Sequence, residues 1–203
     1  MKKIKRVFTG CMFLFTGTFL LLNAGESIAQ PAMNGGAGMR QAGGGMQMGA
    51  LRTAQQQKLQ DFLAAEEAEG KEFMESMAGK PKSELITALK DFKTRQYEKN
   101  TAFRQQLQEE RLATLEAGFA ARPGANPAMK EHALSRFSEN YEEIKAFFAG
   151  KHQENMDFLD RVNSDATLDG QALNSELQRF FQGQKESAKA YMDQKKSQGM
   201  QKR

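Results

Sequence analysis

Leu59-Gln60-Asp61-Phe62-Leu63-Ala64 and Ile144-Lys145-Ala146-Phe147-Phe148-Ala149 read as one phrase written twice, 85 positions apart. The same offset carries Phe73, Met74 and Met77 onto Phe158, Leu159 and Val162. Further along it becomes 88, and Leu89, Phe92, Gln96, Ala102, Phe103 and Gln106 fall on Leu177, Phe180, Gln184, Ala190, Tyr191 and Gln194. The three extra residues lie in a polar turn, where lengthening a loop costs little. Any two amphipathic helices share apolar spacing, but periodicity alone does not demand a glutamine at both Gln96 and Gln184. The chain therefore reads as an internal duplication, with residues 51–106 repeated as 135–194.

Helical punctuation surrounds these segments. The first helix runs from about Thr53, a suitable N-cap, to Ala78, and Gly79 with Pro81 stops it. A second opens near Ser83 and runs to about Phe119, where Arg122-Pro123-Gly124-Ala125-Asn126-Pro127 breaks it. A third runs from Pro127 or Ala128 to about Val162, and a fourth from Asp169 to about Ser197. No stretch alternates at period two, so no sheet is expected. The fold class is all-α, with four long helices as two duplicated antiparallel helical hairpins in one helical domain, 51–198.

In the third helix Leu134, Tyr141, Phe148, Asn155 and Val162 recur every seven residues, with Phe137, Ile144, Lys151 and Phe158 three further on. This is a heptad stripe interrupted at Lys151 and Asn155. The first helix is interrupted at the same place, at Glu66 and Gly70. Polar core positions of this kind set register in a bundle, or else they line a partly polar surface that contacts something. The 15 phenylalanines, against three tyrosines and no tryptophan, raise a second question. Phe147-Phe148 and Phe180-Phe181 put two rings on adjacent faces, so either the bundle is wide or one ring of each pair is exposed. Phe62 and Phe147, off the stripe and equivalent in the two copies, are the candidate client-binding residues.

The beginning of the chain reads as an address. Met1 to Arg6 is a charged start, Val7 to Leu22 an apolar run, and Ser27 and Ala29 suit a cut before Gln30, so residues 1–29 read as a secretory signal peptide. A retained anchor is the alternative; the run is short for a span, which needs about 20 apolar residues. Residues 1–29 hold four of the 29 basic and one of the 25 acidic residues, so the mature chain has 25 against 24 and is near neutral. That disfavours nucleic acid as a partner, which asks for a basic patch. Cys11 leaves with the signal, so the exported chain holds no disulfide.

Residues 30–50 are Gly, Met, Ala and Gln, a composition that favours disorder. Met33, Met39, Met46 and Met48 are weak candidates for thioether ligation of Cu(I). Elsewhere no metal spacing appears: His132 and His152 stand apart from other ligands and read as solvated, and Glu66-Glu67, Glu109-Glu110 and Glu142-Glu143 read as charged outer faces. No phosphate loop or nucleophile elbow is present, and no cofactor or enzymatic activity is expected.

Leu51-Arg52-Thr53-Ala54-Gln55-Gln56-Gln57-Lys58-Leu59, opening a Gln/Glu/Lys-rich helical hairpin after a signal peptide and a Met/Gly-rich segment, resembles the periplasmic Spy/CpxP-like proteins. The likeness covers mainly residues 33–110. The family motif is Leu-Thr-x-x-Gln; here Arg52 parts Leu51 from Thr53, and Thr167-Leu168 with Gln171 departs from it in the second copy. The resemblance implies a helical, ATP-independent chaperone or stress sensor that cradles unfolded or apolar clients, periplasmic or secreted. It also implies a two-chain cradle, which a duplicated chain could supply itself or as a homodimer, with no stable membrane insertion after signal removal. Two other readings are open: a structural adaptor docking one envelope partner, and a Met-based metal sensor.

Overall fold

A computed structural model describes residues 43–122, 124 and 126–201, with side chains from 53 to 198. Residues 1–29, expected as a signal peptide, and Met33 and Met39 lie outside the described residues, and Met46 and Met48 precede the described side chains. The described chain is all-α: α1 (Gly43–Met77), α2 (Lys82–Ala120), α3 (Pro127–Ser164) and α4 (Gly170–Gln201), with no strand among the described residues. With 32 to 39 residues each, the helices are about 48 to 58 Å long at about 1.5 Å per residue. None is long and apolar enough to cross a membrane.

Helices this long and this polar are held partly by their own outer faces. Gln57, Gln105, Gln106, Gln153 and Gln182 each donate from Nε2 to the carboxylate four residues on, at 2.7–3.1 Å. Such pairs add about 0.2–0.5 kcal/mol apiece to a helix, a role for five of the chain's 19 glutamines. The ends are set locally. Gly79 takes φ +80°, the left-handed turn that favours glycine after a helix. Asn126 caps α3, its Oδ1 accepting from the Ala128 amide at 2.9 Å, with Pro127 in the first turn. At the other end of α3, Asp165 accepts from the Thr167 amide at 2.9 Å and hydroxyl at 2.6 Å, closing a side-chain turn.

The chain divides into a central unit, Lys80–Asp169, and a terminal unit containing α1 and α4. In the central unit α2 and α3 form a long antiparallel hairpin. Its register reads directly from cross-helix contacts. Lys82 Nζ donates to the Asp165 carbonyl, Lys90 Nζ lies 2.6 Å from Asp160 Oδ1, and the Thr94 hydroxyl approaches the Met156 sulfur at 3.9 Å. Further up, Tyr97 stacks on His152 and the Arg104 guanidinium lies over Phe148. This close pair spans the join between the two segments related by the sequence offsets, and not either of the two expected hairpins. A sequence offset identifies which segments are equivalent, whereas contact is set by which apolar stripes face each other.

Burial concentrates at the base of that hairpin. Leu85, Ile86, Leu89, Phe92 and Leu107 on α2, and Ile144, Phe148, Phe158, Leu159 and Val162 on α3, are all buried. In the terminal unit Met74, Met77, Leu173, Leu177, Phe181, Ala188 and Met192 are buried. Burial follows the sequence offsets only in part: Leu85 and Leu173, Leu89 and Leu177, Met74 and Leu159, and Met77 and Val162 are buried at both positions, whereas Leu59, Leu63 and Phe73 are half-buried where Ile144, Phe148 and Phe158 are buried, and Phe180 is half-buried where Phe92 is buried.

Leu159 is 0% exposed. Leu159→Ala should lower stability by about 2–5 kcal/mol, as cavity-forming core truncations do, whereas Met129→Ala, at a residue 48% exposed, should stay within about 0.5 kcal/mol. Thermal melts followed by far-UV circular dichroism check both.

Candidate functional site

The interrupted heptad places polar groups inside. Asn155 on α3 is 7% exposed and Glu66 on α1 is 8% exposed, while Gly70 is also buried and Lys151 half-buried. Glu66 is therefore a core residue and not part of a charged outer face: at its place in the heptad it points with the apolar stripe, and its neighbour Glu67 takes the solvent side. On α2 the polar stripe is longer than the sequence pattern suggested. Lys93, Gln96 and Asn100 are 5%, 3% and 4% exposed, and Arg104 follows at the next turn, half-buried. Their spacing of three or four residues keeps all four on one face. Within this stripe Lys93 Nζ lies 3.4 Å from Gln96 Oε1, and Asn100 Nδ2 donates to the Gln96 carbonyl at 2.8 Å.

Gln96 and Gln184, the pair that distinguishes duplication from shared periodicity, are both buried, at 3% and 7%. Around them the copies diverge. Where α2 has Lys93, Asn100 and Arg104, the equivalent positions of α4 have Phe181, Ala188 and Met192, all buried. One backbone pattern thus carries a polar, cationic stripe in the central unit and an apolar one in the terminal unit.

Two contacts hold the polar stripe against α3. The Arg104 guanidinium carbon sits 3.8 Å from the centre of the Phe148 ring, a cation–π geometry well suited to a partly desolvated arginine. Burial pulls this guanidinium down to about 10, against the raising influence of Tyr141 and Tyr97, so it stays charged at neutral pH. Burial raises the Tyr141 hydroxyl. One turn away His152 stacks on Tyr97, centroids 4.3 Å apart and planes 5° from parallel. His152 is thus half-buried rather than solvated, because the antiparallel register brings a tyrosine over its face; His132 is exposed as expected.

The candidate client-binding residues, Phe62 and Phe147, are both half-buried. Phe62 belongs to the terminal unit and Phe147 to the central one. Phe147 meets the buried Phe148 edge to face, centroids 5.2 Å apart at 81°, and Lys151 Nζ lies 5.6 Å from its ring. Phe180 and Phe181 repeat the arrangement at 5.4 Å and 77°, with Phe181 buried and Phe180 half-buried. In each adjacent pair, then, one ring belongs to the core and the other is partly open. Among the described residues no group of three or more His, Cys, Asp or Glu is placed to hold a metal ion. Compared with protein-family models, with curated proteins and with solved structures, the chain matches none.

Two predictions follow from the seam. Burial lowers the His152 imidazole from its ordinary value, partly opposed by Glu98. The unfolded chain therefore takes up this proton first as pH falls through about 6.5, and folding stability drops from there until the folded-state value is passed. Melting temperatures measured from about pH 7.5 to about pH 5.5 should fall for the native chain and fall less for His152→Gln. Asn155 Oδ1 is buried with no hydrogen-bond partner, and an unsatisfied buried polar group costs about 1–3 kcal/mol. Asn155→Leu should accordingly raise the melting temperature, which calorimetry checks.

Proposed function

We propose that this chain is an exported, ATP-independent, chaperone-like protein that holds unfolded or apolar clients in the cell envelope. The observation that carries the reading is the half-open ring of Phe147. It leans on buried Phe148, has Lys151 beside it, and has a half-buried counterpart in Phe62. A holder of non-native chains needs apolar side chains within reach of solvent but diluted by charge, so that it engages clients weakly without associating with itself. Aromatic rings set singly among lysine, glutamate and glutamine on rigid helices supply that. The likeness of the Thr53–Gln56 segment to Spy/CpxP-like proteins points the same way, and the secretory signal in residues 1–29 supplies the address.

Aggregation suppression tests the reading. The chain should protect several unrelated denatured proteins at near-stoichiometric amounts; an adaptor would retain one envelope partner and protect none. Phe62→Ser and Phe147→Ser should weaken protection while lowering stability far less than Phe148→Ser, for which truncation of a buried phenylalanine costs about 3–5 kcal/mol. Full protection by both variants would remove these residues as the client site.

A further inference from the structure

The α2–α3 hairpin is covered unequally along its length. From Leu85 to Leu107 on α2 and from Ile144 to Val162 on α3 its stripe is buried, yet no described residue between 108 and 143 is buried. The apolar stripe does not stop there. Leu112, Leu115 and Phe119 on α2, and Leu134, Phe137 and Tyr141 on α3, continue it at helical spacing and are all half-buried. Met129, in the first turns of α3, is 48% exposed and is the exposed large hydrophobic residue of the described chain. Two helices have closed on each other and left the apolar stripe of the tip half-covered.

Charge decides what can cover it. The tip, residues 108–143, holds seven glutamates against four Lys and Arg, a balance of −3, in a mature chain that is near neutral as a whole. Six of the seven, among them Glu109, Glu116, Glu131 and Glu139, are exposed. A second copy of the same tip would bring −3 against −3. The face is also small for such a dimer: about 20 Å by about 20 Å, roughly 400 Å², half the roughly 800 Å² a side of a stable interface. An anionic membrane surface is repelled for the same electrostatic reason. What fits is one helix laid along the groove, apolar on one side and basic at its edges.

We propose that the tip of the α2–α3 hairpin is a docking groove for a cationic amphipathic helical segment of another polypeptide. The groove takes the segment's apolar side on Leu115, Phe119, Leu134 and Phe137, and the glutamate rim meets its lysines and arginines. This site uses none of the residues of the client site proposed above and stands apart from it.

The test titrates the full mature chain into two fluorescently labelled peptides with the same leucine stripe, one with lysine and one with glutamate on the polar face, read by anisotropy. The Leu/Lys peptide should bind and the Leu/Glu peptide should not. Binding should weaken as salt rises from about 0.1 M to about 1 M, over which the Debye length falls from about 10 Å to about 3 Å. The double variant Glu131→Lys/Glu139→Lys should weaken the Leu/Lys peptide by about fivefold to tenfold, with an unchanged melt. Met129→Ser, at an exposed residue that leaves the fold intact, should weaken it by a smaller factor. Binding of neither peptide, equal binding of both, or an affinity untouched by the double variant overturns the proposal. Aggregation suppression in the same preparations keeps the two readings separate. Peptide binding without protection of denatured proteins sinks the holder and leaves the groove; protection that survives loss of peptide binding does the reverse.

Discussion

The antiparallel pairing of α2 with α3 is the constraint on which the central unit depends, because the chain has little else to hold it. Its one cysteine, Cys11, lies in the apolar run from Val7 to Leu22 and has no second cysteine to pair with, and its surface ion pairs, such as Lys145–Glu142 at 3.5 Å and Lys196–Asp193 at 3.8 Å, are worth little each. What remains is a seam of leucine, isoleucine and phenylalanine, with ties at its base from Lys82 to the Asp165 carbonyl and from Lys90 to Asp160. The Thr167 hydrogen bonds that hold the Asp165 carboxyl below its usual range fix the turn at which that base tie is made.

Polar residues in this seam choose its register. A sliding of α2 against α3 by one helical turn would keep leucine opposite leucine, but it would take Arg104 off Phe148 and Tyr97 off His152 and leave desolvated groups unmatched. Buried polar positions act this way in helical bundles generally, favouring one alignment over near-equivalent apolar ones. The comparison with α4 sharpens the point. At the offset of 88, Phe181, Ala188 and Met192 stand where α2 has Lys93, Asn100 and Arg104, so α2 has accepted polar burial that α4 avoids at these positions.

A long hairpin with a covered base and an open tip also separates stability from recognition. The residues that hold the helices together lie between Leu85 and Leu107 and between Ile144 and Val162, whereas the exposed Met129 and the half-buried Phe119 and Phe137 lie beyond them. Substitutions at the tip can therefore change what the surface binds without removing the contacts that form it. Phe147 stands at the boundary, one ring away from the core through Phe148.

The sequence by itself determined most of the helical layout, although the structure begins α1 at Gly43, ten residues before the expected cap at Thr53. Their number, their breaks at Gly79, Asn126 and Asp165, and the place of the polar interruption follow from local chemistry: capping, proline and glycine geometry, and the period of 3.6 residues. The sequence also carries the paired offsets of 85 and 88, and Gln96 with Gln184, which helical spacing alone does not demand, are both buried. What a one-dimensional pattern could not carry is which stripe meets which, since every helix here presents an apolar face that could serve any other. Only tertiary structure paired α2 with α3 across the join between the offset-related segments, laid Tyr97 over His152, drew Glu66 inside and left the stripe from Leu112 to Phe119 half-covered. The physical reason is that burial belongs to two surfaces together: a residue's own face is written in its sequence position, and its cover is supplied from elsewhere in the fold.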